Sequence, residues 1–370
     1  MTSFADELSR LAAELEAGVS PSGEPVRPLV FLPLDRWRDA PAGLAARAAG
    51  LVAGALPITV GLLTGPPSPT LEPLLTAATL TLAAGPVPDT AARWVVPVGD
   101  VAAGDVAVGD VAVGDVAVED AAARLRTCVE RSPRAALACG QLLRQTPELP
   151  TTPALAAEAA AYSLLLGGPE FGRWLAERGA PRDRHGPEQP VRVSRDGGQL
   201  TIVLDDPGRR NAFSARLREA LLEAVQLAEA DETLTDVRIR GAGAAFCSGG
   251  DLDEFGTATD LVAAYLVRLE RAPWRVIDRI APKVTVHAHG ACIGAGTEII
   301  AFAGRIVAAP GSFFALPEVR MGLVPGAGGS VSVPRRIGRW RAAWLMLTGD
   351  RVGAEVALRW GLVDEVAAGR

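Results

Sequence analysis

Lysine is nearly absent from this chain of 370 residues, and Lys283 is the only one. A phosphate-binding loop of the GxxxxGK[ST] type is excluded, because Lys283 follows Ile-Ala-Pro and precedes a valine. Arginine provides the remaining positive charge, and the formal net charge is -6. A nucleic-acid partner is therefore not expected, since phosphates bind to basic surfaces.

Cysteine and histidine are also scarce, with four and three copies. The cysteines are Cys128, Cys139, Cys247 and Cys292. None of them forms a CxxC pair, so we expect no metal site. Dispersed thiols are typical of a reducing compartment, and the acidic N-terminus is unlike a signal peptide. We therefore expect a cytoplasmic protein.

Long hydrophobic runs are few. The most apolar stretch, residues 44–63, contains Arg47 and Pro57. It divides into a helical half and a β-branched half, which predicts a buried helix and strand rather than a membrane span. With 49% apolar and 22% charged residues, the composition is that of a globular protein.

The pattern of strands, helices and turn residues predicts an α/β protein with five parts. Residues 1–98 form a small α/β unit, residues 99–118 a repeat loop, residues 119–180 a helical domain, residues 181–190 a linker, and residues 191–370 a second α/β unit. Within the second unit, residues 261–280 are predicted to be one helical stretch. The first unit contains no recognisable catalytic residues.

The repeat loop contains Gly-Asp-Val-Ala-Ala/Val four times. A five-residue period is typical of a β-solenoid, but four repeats would make only about one coil. Regular aspartates also suggest calcium, yet the spacing of an EF-hand is missing. We interpret this segment as a surface loop without chemistry.

Two glycine-rich loops, residues 241–251 and 290–296, each lie between a predicted strand and a predicted helix. Glycine lets backbone N–H groups approach a ligand closely, and a helix N-terminus adds partial positive charge. The dinucleotide pattern GxGxxG is not matched by Gly290, Gly294 and Gly296. Taken singly, either loop is equally consistent with an ordinary tight turn.

Five segments, in order along the chain, resemble the crotonase (enoyl-CoA hydratase/isomerase) superfamily. They are RRNAFS (209–214), AFCSGGDL (245–252), HGACIGAGTE (289–298), FALPE with GLVPGAGG (314–329), and GAEVA with GLVDEV (353–366). The resemblance covers the second half of the chain. It implies a crotonase-like ββα superhelix core, with an acyl-coenzyme A thioester as substrate and no further cofactor.

The resemblance also implies catalytic roles. The backbone N–H groups of Gly250 and Ala295 would stabilise the oxygen of a thioester enolate. Glu298 and Glu318 would act as paired general acid and base in hydration of a 2-enoyl-CoA. Considered alone, Glu298 is more consistent with an exposed helix residue, and Glu318 is also consistent with a cap of the turn after Pro317.

Further positions match substrate-contacting positions of the superfamily. They are Arg210, Ala212, Ser248, Asp251, Leu252, Gly294 and Gly326. Asp253 stands where hydratases often have a basic residue near the coenzyme A phosphates, so Arg209 and Arg210 are the remaining candidates for phosphate contacts. His289 replaces the more usual asparagine of the second loop, and we expect no catalytic role for His287.

Members of the superfamily continue after the GLVDEV segment with a helical domain that forms a trimer interface. Here its signatures resemble residues 132–137 and 168–178, upstream of the core. We expect a degenerate first unit over residues 28–178 that supplies this domain, and a homotrimer or hexamer. Residues expected to be buried against the core are Leu164, Leu165, Phe171, Trp174 and Leu175.

The predicted function is hydration or dehydration of a 2-enoyl-CoA thioester. The alternatives are an enoyl-CoA isomerase, a cofactor-free dioxygenase-like crotonase, and a non-catalytic homologue that binds acyl-CoA or acts as a scaffold. The retained glutamate pair favours the first.

Overall fold

A computed structural model of the chain describes residues 4–16, 18–85, 87–101, 118–182 and 186–367. Almost all of the predicted repeat loop, residues 99–118, lies outside the described residues. Within the described ranges, no helix is long and apolar enough to cross a membrane.

The first unit is a parallel sheet of four strands with helices packed on it. The strands, which lie side by side in chain order, are β1 (Leu29–Pro33), β2 (Ile58–Leu63), β3 (Leu80–Ala83) and β4 (Val96–Pro97). The helices are α1 (Phe4–Glu16), α2 (Ala42–Gly54), α3 (Glu72–Ala77) and α4 (Val98–Val101). Leu8, Val30 and Val52 belong to a small separate hydrophobic cluster on one side of the sheet. Val60 and Leu82, from its central strands, belong to the main core.

Four helices follow. They are α5 (Val118–Arg131), α6 (Pro133–Gln145), α7 (Thr151–Leu166) and α8 (Pro169–Arg178). Proline occupies the first helical position of α6 and α8, where its missing N–H costs no hydrogen bond. Buried side chains of these helices, such as Leu143 and Phe171, share one continuous hydrophobic cluster with the second half of the chain.

The second unit contains two sheets. The strands are β5 (Val191–Asp196), β6 (Gln199–Leu204), β7 (Asp236–Gly241), β8 (Val284–Ala288), β9 (Ala291–Ile293), β10 (Arg305–Ala308), β11 (Phe313–Ala315), β12 (Val352–Gly353) and β13 (Glu365–Val366). The larger sheet has the order β13-β10-β8-β7-β6-β5, and the smaller one has the order β12-β11-β9. Only the β5–β6 hairpin and the β11–β12 pair are antiparallel among the described strands.

The helices of the second unit are α9 (Ala215–Ala230), α10 (Leu261–Glu270), α11 (Pro273–Arg279), α12 (Ala295–Ile300), α13 (Gly329–Ile337), α14 (Arg339–Thr348) and α15 (Ala354–Trp360). A short 3-10 helix, Glu318–Met321, follows β11. The predicted α/β fold class is thus confirmed.

The single helical stretch predicted over residues 261–280 is wrong. The chain leaves the helix at Arg271 and Ala272, and α11 starts again at Pro273. Proline lacks the N–H that would continue the ladder of hydrogen bonds, and it disfavours the helical conformation of the residue before it.

The predicted burial of the upstream helices is correct except at one position. Leu165 and Phe171 are buried, and Trp174 and Leu175 pack partly buried against the main core. Leu164, however, is 77% exposed. Successive residues of a helix are about 100° apart, so the neighbour of the buried Leu165 points to solvent.

Candidate active site

Asn211 organises the first glycine-rich loop. The side chain is completely buried, and its Nδ2 donates to the carbonyl oxygens of Ala242 (2.9 Å), Ala245 (2.9 Å) and Phe246 (3.1 Å). Asn211 lies inside the RRNAFS segment, but we predicted no role for it from the sequence. The loop is therefore shaped by one amide that binds three of its carbonyl groups.

A short parallel bridge aligns the end of this loop. The N–H of Phe213 donates to Gly249 O at 2.7 Å, and the N–H of Asp251 donates to Phe213 O at 3.2 Å. Gly250 lies between the two bonded residues, Gly249 and Asp251. In a parallel bridge the N–H of such a residue points away from the opposite strand. The N–H of Gly250 therefore does not bond to Phe213, and Gly250 lines a cavity of about 180 Å³.

The second glycine-rich loop ends at Gly294, which has φ of 51°, and α12 begins at the next residue. The carbonyl of Gly294 accepts hydrogen bonds from the N–H groups of Thr297 (2.8 Å) and Glu298 (2.9 Å). Ala295, at the first helical position, lines the same cavity as Gly250. None of the described residues accepts a hydrogen bond from the N–H of Ala295, as is usual for the first turn of a helix.

Glu298 is buried in α12 and lines the cavity. Its Oε2 accepts hydrogen bonds from the N–H groups of Ala327 (2.7 Å) and Gly329 (2.9 Å). Burial raises the pKa of Glu298 to about 7, against the opposing effect of these amides and of the Arg268 charge. A carboxyl with this pKa can exchange a proton near neutral pH.

Glu318 lies at the start of the 3-10 helix and faces the same cavity. Its Oε2 is buried and has no hydrogen-bond partner among the described residues. Its Oε1 lies so close to Gly294 that a Cβ at that position would be 2.5 Å away. Burial and the charge of Glu298 raise the pKa of Glu318 well above its usual range. This shift favours the protonated form of Glu318.

Aromatic side chains form the cavity wall. Tyr162 of α7 contributes to it, with the guanidinium of Arg268 3.9 Å from the centre of its ring. Phe213, Phe255 and Trp274 also line the cavity. The sequence did not indicate these residues, because they come from separate helices and loops. Such a wall suits an apolar acyl group.

Another buried carboxyl, Glu158 of α7, does not line the cavity but binds the backbone next to it. Its Oε1 accepts from the N–H of Gly328 at 2.7 Å, and its Oε2 accepts from the N–H and the hydroxyl of Ser330, both at 2.7 Å. Burial and the charge of Glu298 raise the pKa of Glu158 to about 8. The sequence analysis missed this residue, although it is the only charged residue in the helix TTPALAAEAAAYSLLL.

Comparisons with known proteins identify the family of this chain. The sequence model of the family described as enoyl-CoA hydratase/isomerase matches residues 195–369. The 2,3-dehydroadipyl-CoA hydratase of Escherichia coli (strain K12) is 30% identical over 174 residues, which cover 47% of this chain and 68% of that protein. The chain belongs to the enoyl-CoA hydratase/isomerase family.

Two further similarities have comparable coverage. The 1,2-epoxyphenylacetyl-CoA isomerase of Escherichia coli (strain K12) is 33% identical over 177 residues, or 46% of this chain and 66% of that protein. A crystal structure of enoyl-CoA hydratase from Thermoplasma volcanium GSS1 is 30% identical, covers 49% of this chain and 73% of its own, and has a TM-score of 0.46. The chain thus spans about two thirds of the length of the first relatives it matches. Membership of the crotonase superfamily, predicted for the second half, is confirmed.

The predicted substrate-contacting residues of this crotonase homologue are not all at the cavity. Asp251 and Gly326 line it. Gly294 leaves room for the Glu318 carboxyl, which a Cβ at position 294 would contact too closely. Ser248 is part-buried, with its Oγ 3.4 Å from Arg209 O, and Leu252 is half exposed. Ala212 is part-buried and does not line the cavity.

Arg209 and Arg210, the two candidates for binding the coenzyme A phosphates, differ in their surroundings. Arg209 already forms ion pairs with Asp251 at 2.5 Å and Asp253 at 3.1 Å. Arg210 is exposed and adopts a left-handed conformation with φ of 54°. Of the two, Arg210 is therefore better placed to meet a phosphate. His289 places its Nε2 2.9 Å from Gly243 O, a contact within the loops.

Proposed function

We propose that this crotonase homologue adds water to the double bond of a 2-enoyl-CoA thioester, or removes it in the reverse direction. The observation that supports this most directly is the position of two buried glutamates, Glu298 and Glu318, in one cavity with the N–H groups of Gly250 and Ala295. The family supports acyl-CoA chemistry of this type.

In the proposed reaction, the thioester oxygen accepts hydrogen bonds from Gly250 and Ala295. Negative charge grows on this oxygen as the enolate forms, and each such donor is worth about 2.7–4 kcal/mol in a preorganised site. Ala295 adds the positive end of a helix dipole, although α12 is short.

Proton transfer is assigned to the glutamate pair. One carboxylate accepts a proton from water as its oxygen bonds to C3, and the carboxylic acid of the other donates a proton to C2. Their environments suit this division, because Glu298 has a pKa of about 7, while burial and the charge of Glu298 raise the pKa of Glu318 well above its usual range and so favour its protonated form. Glu298 is thus the candidate base and Glu318 the candidate acid in hydration.

The second candidate is isomerisation of an acyl-CoA double bond, in which the same carboxyls would move a proton between carbon atoms. The family description, enoyl-CoA hydratase/isomerase, supports this second candidate. No water is incorporated in a double-bond shift, so the two reactions differ in the mass of the product.

The test is a screen with crotonyl-CoA, a longer-chain enoyl-CoA and an aryl enoyl-CoA. Loss of the enoyl-thioester absorbance, with product heavier by one water, is the expected result. A product of unchanged mass would support isomerisation instead. Tight binding without turnover of any thioester would overturn both proposals and favour a non-catalytic role.

A further inference from the structure

Two buried carboxylates bind the same short backbone segment, residues 327–330, from different parts of the chain. Glu298 accepts from the N–H groups of residues 327 and 329, at 2.7 and 2.9 Å. Glu158 accepts from those of residues 328 and 330, both at 2.7 Å. Four consecutive N–H groups thus alternate between the two carboxylates. Because these N–H groups belong to adjacent residues, moving one carboxylate would also move the N–H groups that bind the other.

Glu158 is anchored more firmly than an ordinary packing residue. It is 2% exposed, and the hydroxyl of Ser330 donates a third hydrogen bond to it at 2.7 Å. The backbone groups that it holds lead directly into α13, which begins at Gly329. Glu158 itself does not line the cavity, so it does not touch a substrate there.

We propose that Glu158 is a positioning residue for the proposed hydration chemistry: it fixes residues 327–330, and so the amides that hold the Glu298 carboxylate, and it places a second carboxyl near Glu298. This inference rests on the proposed function. It assigns a role in the site to a residue outside the segment that matches the family, residues 195–369.

The charge of Glu158 acts on one of the catalytic candidates, Glu318. Burial and the charge of Glu298 raise the pKa of Glu158 to about 8, and the Glu158 charge also contributes to the raised pKa of Glu318. Other titratable or charged groups that act on these three carboxyls or respond to them are Arg268 of α10, Tyr162 of α7, Cys139 of α6 and Cys247 of the first loop. Removing a neighbouring negative charge makes ionisation easier, so Glu318 should then titrate at lower pH.

The chain offers a matched control. Glu170 of α8 is 4% exposed and also accepts two backbone hydrogen bonds, from Arg134 N at 2.8 Å and Ala135 N at 3.0 Å. These donors belong to the start of α6, away from residues 327–330. Glu158→Gln and Glu170→Gln therefore each remove a buried carboxyl that binds two backbone N–H groups, but only the first of these carboxyls binds residues 327–330.

The experiment measures kcat, KM and the pH–rate profile of the full chain with an enoyl-CoA. For Glu158→Gln we expect kcat to fall by about 10- to 100-fold with KM changed by less than about threefold, because a small displacement of a catalytic group mainly slows chemistry. The limb of the pH profile that reports Glu318 should move to lower pH. Glu158→Asp, which keeps the charge, should leave the limbs in place while kcat falls. A Glu158→Gln enzyme with the kcat and profile of Glu170→Gln would overturn the proposal.

Hydrogen–deuterium exchange of the amides of residues 326–330 separates this proposal from the proposed function, since it needs no turnover. Exchange there should be about tenfold faster in Glu158→Gln and unchanged in Glu170→Gln. If the unmodified protein turns over no thioester, the proposed function fails, and faster exchange still supports the Glu158 contacts. Unchanged exchange in Glu158→Gln would overturn them.

Discussion

The ring of Tyr162 lies against the backbone of Gly326. A Cβ built on Gly326 would be 2.5 Å from both Cδ2 and Cε2 of the tyrosine. Through this contact, helix α7 of the upstream half packs directly on the loop that lines the candidate active site. Only glycine fits at position 326 without moving the aromatic wall.

Substituting Gly326→Ala should therefore destabilise the protein and reduce turnover. Overpacking of this kind costs about 1–3 kcal/mol, which urea denaturation would measure. Gly50→Ala is the control, because a Cβ at this exposed position in α2 meets nothing within 4 Å. Alanine should stabilise that helix by about 0.5–1 kcal/mol. Equal effects of the two changes would show that Tyr162 does not pack on the loop.

Two neighbouring leucines of α7 test the packing of the upstream helices on the core. Leu165 is 7% exposed within the main hydrophobic cluster, whereas Leu164 is 77% exposed. Leu165→Ala should lower the free energy of unfolding by about 2–5 kcal/mol. Leu164→Ala should change it by less than about 0.5 kcal/mol. The reverse order in urea denaturation would mean that α7 presents a different face to the core.

The buried carboxyls predict how stability depends on pH. Glu298 has a pKa of about 7 in the folded protein and Glu158 about 8, both raised by burial from 4.5. A raised pKa means that the protonated form is favoured on folding, so this contribution is complete below about pH 4.5 and is lost as pH rises through 7 and 8. The melting temperature should fall between pH 6 and pH 8.5.

Carboxylates whose pKa is lowered, such as Asp35 and Glu219, are already ionised in this window and add no slope. Glu298→Gln should therefore show a shallower decline of melting temperature than the unmodified protein. Parallel curves for the two proteins would contradict the raised pKa of Glu298.

The oxyanion role of Gly250 can be tested by removing its N–H. Gly250→Pro should lower kcat by about 10²–10³-fold if this donor binds the thioester oxygen. Gly250→Ala keeps the N–H but adds a Cβ 2.8 Å from the ring of Phe255, and so controls for steric effects. Circular dichroism establishes that both variants fold. A folded proline variant as active as the alanine variant would exclude this donor.

Local patterns were sufficient to predict much of the fold. The β-branched end of the stretch 44–63 forms the strand β2, and the amphipathic repeat over residues 215–230 forms the helix α9. The two glycine-rich loops could also be predicted, because a turn between strand and helix needs glycine wherever backbones come close. These features depend on residues near one another in the chain.

The rest of the site could not be found in this way, because it depends on contacts between distant segments. Tyr162 reaches the cavity only because α7 packs on the loop at Gly326, and Arg268 only because α10 crosses α7. Glu158 did leave a signal, as the single charge in an apolar helix. Its partners, however, lie 170 and 172 residues further along the chain.

The most direct test of the central claim compares enoyl-CoA hydration by the unmodified protein with that by Glu298→Gln and Glu318→Gln. Each variant loses one of the two proton-transfer groups, so kcat should fall by about 10²–10⁴-fold. Acyl-CoA affinity, measured by calorimetry, should be largely kept, and Glu170→Gln should retain near-normal kcat. Near-normal turnover in either the Glu298→Gln or the Glu318→Gln enzyme would contradict the hydratase role of that glutamate.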